Sequence, residues 1–249
     1  MIKAEGIVLS ELRFKDTSKI LNIYTKSMGK IPVMARGAYK ANSKLMASTQ
    51  VFSFNDYVFN KGRTFYYLNQ GNIIKSFYNI RENIDRFIYG SYILEIVEKS
   101  SPEEEGNIKL FSLLEKSLDV LSKLDKDFMK FIVAFQLKFV SFIGYRPYLE
   151  KCVICNNSLS KGLRWSHVEG GIVCKNCYNF DRSSIPVDNK IYRAIVELMY
   201  VPYDKMSEVD VPLETLKFLQ NMLEDYILYN IDRKKFNSFK MIETLSEYN

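Results

Sequence analysis

The sequence predicts an α+β protein: an N-terminal five-stranded β-barrel, then an all-α helical domain with an inserted four-cysteine zinc module. Three observations carry that prediction. Apolar residues recur in strand-like fashion up to about residue 80 and at helical spacing afterwards. The only four cysteines of the 249 residues fall in one window, as Cys152-Val-Ile-Cys155 and Cys174-Lys-Asn-Cys177. The charge is uneven: residues 1–80 hold twelve Lys and Arg against four Asp and Glu, a net of +8, so a chain of total charge +6 leaves −2 for the remainder.

The strands are short and separated by turn residues. Ala4 to Phe14 contains Ile7-Val8-Leu9, and Lys19 to Thr25 contains Ile20-Leu21 and Ile23-Tyr24. Gly29 to Arg36 alternates, with Ile31, Val33 and Ala35 on one face and Lys30, Met34 and Arg36 on the other. Gln50 to Asn60 and Arg63 to Phe77 are rich in Phe, Tyr, Val and Ile, and Lys15-Asp16, Met28-Gly29 and Asn60-Lys61-Gly62 mark turns between runs. Five such strands without a helix among them fit a small closed barrel of the oligonucleotide-binding (OB) type. The expected domains are residues 1–79 for the barrel and 80–249 for the helices, with the zinc module at 150–180.

From residue 80 the helices follow. Ile84 to Glu98 is apolar over much of its circumference, which places it centrally. Ser101-Pro102 before Glu103-Glu104-Glu105 reads as a loop and an acidic helix start, since carboxylates suit a helix N-terminus. Leu110, Leu113, Leu114, Leu118 and Leu121 share a face, and Phe128, Phe131, Ile132, Phe135, Phe139, Phe142 and Ile143 recur at helical offsets. Gly144, Arg146 and Pro147 end that helix. After the cysteines, Pro186 opens a helix that Pro202 closes, and Pro212 opens the last long one.

Two C-x-x-C knuckles eighteen residues apart match the spacing of a structural zinc site. Competing readings are a degenerate site or a redox or disulfide role; a redox C-x-x-C is expected singly, and disulfides need an oxidising compartment. Four thiolates leave no open position, so zinc catalysis is not expected. His167, the single histidine, lies within the cysteine loop and reads as a surface residue. Met1 to Gly6 carries no long apolar run, so no signal peptide is expected. Phe131 to Gly144 is interrupted by Gln136 and Lys138 and is too short to span a bilayer. The expected location is cytoplasmic and nucleoid-associated.

No catalytic set is legible. One histidine excludes most Ser-His-Asp and Cys-His schemes, and no G-x-x-x-x-G-K-[ST] loop is present, so an enzyme is not expected. A basic barrel on a slightly acidic body suits a polyanion. Candidate DNA-binding residues are Arg13 and Lys15 in the first turn, Lys30 and Arg36 on the third strand, and Lys40, Lys44, Lys61 and Arg63 in loops. Phe14, Tyr39, Phe65 and Tyr66 are candidates for base stacking, against barrel core as the bland alternative. Lys234, Lys235 and Lys240 form a weaker basic patch. In the cysteine module Lys151, Lys161, Arg164 and Lys175 stand against Glu169 and Asp181 with few aromatics, so zinc is expected to support DNA binding only indirectly.

Local sequence adds a resemblance. Glu5-Gly-Ile-Val-Leu9, Asp16-Thr-Ser-Lys-Ile-Leu21, Gly29-Lys-Ile-Pro-Val-Met-Ala-Arg-Gly37 with Lys40 and Ser43-Lys44, and Phe142-Ile-Gly-Tyr-Arg-Pro147 before Cys152 fall in order over nearly the whole chain. In this arrangement the chain resembles the RecO family of bacterial DNA repair and recombination mediators. The zinc cysteines vary within such families, so their completeness here supports the metal and not the resemblance. The resemblance implies binding to single- and double-stranded DNA and annealing of complementary strands. It also implies work with RecR and single-strand-binding protein that helps RecA load. The alternative reading is a zinc-dependent RNA-binding or transcription accessory protein; a third is a nuclease or transferase with dispersed carboxylates.

Overall fold

The structure, a computed structural model, describes residues 1–233 and 235–248. Its elements in chain order are β1 (Ile2–Phe14), β2 (Ser18–Thr25), β3 (Gly29–Ala35), β4 (Phe54–Lys61), β5 (Tyr66–Lys75), α1 (Ile84–Ser100), α2 (Ile108–Leu121), α3 (Phe128–Phe142), β6 (Leu163–Ser166), β7 (Gly171–Val173), β8 (Ile185–Val187), α4 (Asn189–Tyr200), α5 (Leu213–Asn230) and α6 (Asn237–Tyr248). Among the described residues no helix is long and apolar enough to cross a membrane.

The five strands close into a barrel in the order β1-β2-β3-β5-β4, with β3 and β5 parallel and the other pairs antiparallel. This is the expected OB-type barrel. Alternation decides what fills it: Val8, Leu21, Ile23, Ile31, Val33, Ala35, Tyr57, Phe59, Tyr66 and Leu68 are buried together. The β2–β3 turn needs a glycine. Gly29 has φ of +67°, and a Cβ there would collide with the Glu105 carbonyl oxygen.

That close approach corrects the expected acidic helix start. Glu103 bridges to Lys30, and the Glu104 amide donates to the Lys30 carbonyl at 3.0 Å. The three glutamates thus form a strap along the barrel, with Glu104 turned through the left-handed region at φ of +57°. The helix begins later, at Ile108, where the Asn107 side chain accepts from the Leu110 amide. The segment starts no helix because its backbone bonds to β3 instead.

The chain divides into two compact units, Met1–Asp125 with Phe236–Asn249, and Lys126–Lys235. In the first, α1 packs on β1. Glu98 accepts from Ser10 at 2.8 Å and Asn22 at 2.5 Å, and the Glu98 carbonyl accepts the Lys30 ammonium at 2.7 Å. α6 lies beyond the helices that the sequence predicts; it packs on α1 through Phe236 and Phe239 against Tyr92. Glu95 supplies the missing N-terminal cap. Its carboxylate accepts from the Asn237 amide at 2.9 Å and the Ser238 amide at 2.7 Å, and pairs with Lys99 at 2.5 Å.

Burial works upward on the Glu95 pKa, but these bonds outweigh it and hold the pKa below its ordinary 4.5. The contribution is therefore fully present above the ordinary value and lost as pH falls through the lowered one. Glu95→Ala is expected to cost about 1–2 kcal/mol, as loss of a helix cap does. Protease cleavage between α5 and α6 should accelerate in the variant, and in the parent below that pH. Unchanged cleavage would show that Glu95 does not hold α6.

In the second unit α3 lies against α4 and α5. The polar interruptions of α3 have structural reasons: the Lys138 ammonium donates to the Leu198 and Met199 carbonyls at 3.1 and 2.9 Å, capping the end of α4, and Gln136 donates to the Gln220 carbonyl at 3.4 Å. The cysteine module follows α3, with a small sheet ordered β7-β6-β8. Pro186 does not open a helix as expected. It sits in β8, paired with Arg164, and α4 starts after Asp188, whose side chain accepts from the Ile191 amide. An edge strand tolerates a proline because its missing N–H faces no partner.

Candidate metal cluster and nucleic-acid interface

Each knuckle is built from its own backbone. Asn156, at φ of +59°, turns the first, so that its amide reaches the Cys152 carbonyl at 2.9 Å; the Cys177 amide reaches the Cys174 carbonyl at 3.0 Å in the second. β6 and β7 bring the knuckles together. The four sulfurs then lie within 4.8 Å of one another, and Cys155 and Cys174 are 3.8 Å apart. Metal–sulfur bonds of about 2.3 Å in a tetrahedron require sulfur separations of about 3.8 Å, so the set fits a four-thiolate ion.

The electrostatics suit a ligand set. Burial disfavours the Cys152 thiolate, but amides of Cys155, Cys174 and Ile154 outweigh it and bring the thiol down to about 6. Burial and the neighbouring thiols push Cys177 up to about 12. A cation is what lets all four ionise together. His167 is not part of the cluster. Its Nε2 lies 3.0 Å from the Met222 carbonyl, and its ring packs against Trp165 and Tyr226. Trp165 itself is fully buried, edge-on to Tyr226 at 5.2 Å.

The second candidate site is one rim of the barrel. Register puts Phe14 beside Ser18, Lys19 beside Ala35, Met34 beside Tyr67 and Lys61 beside Tyr66. The β1–β2 turn, the segment after β3 and the β4–β5 hairpin therefore open on the same end. The Tyr39 amide joins the first two by donating to the Thr17 carbonyl at 2.9 Å. Cation and ring alternate across the rim: Arg13 lies 5.6 Å over Tyr39, Arg36 4.6 Å over Tyr67, and Lys15 5.6 Å over Phe14.

The predicted cations divide into two groups. Arg13, Lys15, Arg36, Lys40, Lys44 and Arg63 are exposed, and among the described residues none has a carboxylate within ion-pair distance. Lys61 is exposed but pairs with Glu104 at 2.8 Å. Lys30 is half-buried with its ammonium on the Glu98 carbonyl, so it straps α1 to the barrel. Lys19, counted in the basic total, is 1% exposed and bonded to Glu11 at 2.7 Å. Lys26 and Lys75 pair with Glu5 and Glu115.

Of the candidate stacking rings, Phe14 and Tyr39 are exposed and Phe65 is half-buried. Tyr66 belongs to the core, and its hydroxyl bonds Glu104 at 3.0 Å. Tyr67 is the outward ring that sequence reasoning missed. Parity could have found it, because Leu68 points inward, so Tyr66 does too and Tyr67 does not. Lys235 and Lys240 are exposed; Lys234 lies outside the described residues.

Comparisons with known proteins agree across the chain. The family model described as Recombination protein O N terminal matches residues 1–77, and that described as Recombination protein O C terminal matches residues 81–239. The chain is similar to the DNA repair protein RecO of Alkaliphilus metalliredigens, 34% identical over 245 residues, covering 98% of this chain and 100% of the relative. It is 32% identical over 251 residues to that of Bacillus pumilus and 28% identical over 247 residues to that of Acetivibrio thermocellus, each covering 98% of this chain and 97% of the relative.

Proposed function

The chain belongs to the RecO family of DNA repair proteins, and from that membership we propose that it is a recombination mediator without bond chemistry of its own. It binds single- and double-stranded DNA, anneals complementary strands, and with RecR helps load RecA onto DNA coated by single-strand-binding protein. In this reading residues 1–79 are the DNA-binding domain, 80–249 the helical domain and 150–180 its zinc module, and the protein works in the cytoplasm at the nucleoid.

The observation that supports this reading is the rim. Arg13, Lys15, Arg36, Lys40, Lys44 and Arg63 are free of carboxylates and interleaved with Phe14, Tyr39 and Tyr67. Annealing requires that two phosphate backbones be neutralised while base edges stay free to pair. Flexible cations on loops do the first through counterion release and read no sequence. Lys61 joins them by exchanging Glu104 for phosphate, since an exposed ion pair holds it weakly. Lys30 keeps its carbonyl and acts as scaffold. Zinc, held by Cys152, Cys155, Cys174 and Cys177, would supply a structural cross-link, with no vacant position for substrate.

The test mixes complementary labelled oligonucleotides, bare and coated with single-strand-binding protein, with and without the chain and RecR. Pairing should accelerate without nucleotide hydrolysis, and no strand should be cut in magnesium or manganese. Tighter binding to hairpin RNA than to single-stranded DNA, with no annealing, would overturn the reading in favour of an RNA-binding accessory protein.

A further inference from the structure

The cysteine module carries a face that its fold does not use. Tyr178 and Phe180 follow Cys177, and Phe180 is 75% exposed. Arg164 stacks on one of them, and three more cations lie close by in the chain. Arg164, on β6, lies 4.3 Å over the Tyr178 ring. It is held there by its bonds to the side chain and carbonyl of Ser184. Lys175 packs across Gly162, which brings it beside Lys161, and Arg182 follows Phe180. Lys161, Lys175 and Arg182 are all exposed.

A count of charges hides this arrangement because it ignores direction. Asp181 is the acid nearest the rings, yet it is buried and turned inward. Its carboxylate accepts from Ser166 at 2.5 Å and from the Ser183 amide at 2.9 Å. Glu169 sits in the β6–β7 turn beyond Ser166, at the end of the sheet opposite Arg164 and Val173. The face around Tyr178 and Phe180 is thus cationic and aromatic although residues 150–182 as a whole carry a net charge of only +2.

We propose that this face, Lys161, Arg164, Lys175, Tyr178, Phe180 and Arg182, is a second contact for single-stranded DNA, with unpaired bases stacking on Phe180 and Tyr178 and phosphates lying on the cations. Rings offer a π-face to any base, so the contact is tolerant of sequence but needs the base unstacked. It therefore favours single strands over duplex, as the rim's phosphate contacts do not. A metal held there would act on this face by fixing Cys174 and Cys177, which bracket Lys175 and precede both rings. The inference rests on the DNA-binding reading above.

The experiment uses the full chain and measures binding to dT30 and to a 30-base-pair duplex for Tyr178→Ala/Phe180→Ala, Phe180→Leu and Phe180→Trp. Metal content serves as the check on folding. The double variant should lose about fivefold to a hundredfold on dT30 and little on duplex. Phe180→Leu keeps the apolar surface without the ring and should lose in the same direction. Phe180→Trp should bind dT30 at least as well as the parent, and the tryptophan should be quenched on binding. If the double variant sheds its metal, the Leu and Trp variants decide the matter. Equal losses on duplex and single strand, unchanged dT30 affinity, or an unquenched Trp at position 180 would overturn the proposal. A parent chain that binds no dT30 fails the DNA-binding reading itself. Loss confined to the rim variant Arg36→Ala/Lys40→Ala/Lys44→Ala, with none from the ring variants, leaves that reading standing and removes this one.

Discussion

Replacing Cys174 with serine is expected to empty the metal site and open the whole module. The knuckles have little else to hold them: the buried cluster around them is Cys152, Val173, Cys174 and Cys177, with Val153, Ile154 and Leu159 packed at the side. So small a core supplies only a few kcal/mol, whereas a structural zinc contributes about 10 kcal/mol or more. Parent protein prepared without chelator should hold about one zinc per chain. The variant should melt roughly 10 °C lower, if only 3–4 kcal/mol of that loss reaches the cooperative unit.

Trp165 gives a local readout. It is the chain's single tryptophan and is fully buried against Tyr226, so opening of the β6–β7 sheet should shift its emission to the red. Acid should do the same without mutation, because ligand thiolates must be deprotonated and protons compete with the metal as pH falls. Parent protein that contains no zinc, or a variant with unchanged melting and Trp165 emission, would remove the metal from the account.

The second large effect is expected at the barrel rim. Changing Arg36, Lys40 and Lys44 together to alanine should weaken DNA binding alike on unrelated sequences. It should also flatten the plot of log affinity against log salt by roughly 0.7 for each phosphate released on single strands, about 2 for three. At 50 mM salt that corresponds to a loss on the order of a hundredfold or more. Annealing should fall in parallel, because both strands must be held at once. Stability should change by less than about 1 kcal/mol. The three side chains are exposed, and the chief interaction removed within the protein is the stacking of Arg36 on Tyr67. Binding at several salt concentrations on two oligonucleotides of different sequence checks this. An unchanged slope, or a loss confined to one sequence, would place the DNA elsewhere.

Alternation in Gly29 to Arg36 predicts Ile31, Val33 and Ala35 inside the barrel, and they are inside. Knuckle spacing predicts that the cysteines assemble, and their sulfurs are together. Both signals survive because they are local: strand geometry repeats every two residues, and a C-x-x-C turn needs only its own backbone. Glu103 to Glu105 reads as a helix start because carboxylates suit a helix N-terminus, yet pairing with β3, some seventy residues earlier, makes it a strap. α6 escapes the sequence pattern because its cap, Glu95, stands 143 residues away from Ser238 in the chain.

The barrel, the period of the helices and the cluster of four cysteines are therefore legible in the chain alone. Each follows from spacing within a few residues, or from paired spacings of one motif. Which cations are free is settled only once the chain has folded. Lys30 and Lys61 look alike on paper, yet one is bound to a helix carbonyl and the other to an exposed carboxylate. Lys19 vanishes into an ion pair, and Asp181 turns inward to leave a cationic, aromatic face on a module whose net charge is only +2. Charge acts through the distance and direction of side chains brought together by folding, and a one-dimensional count contains neither.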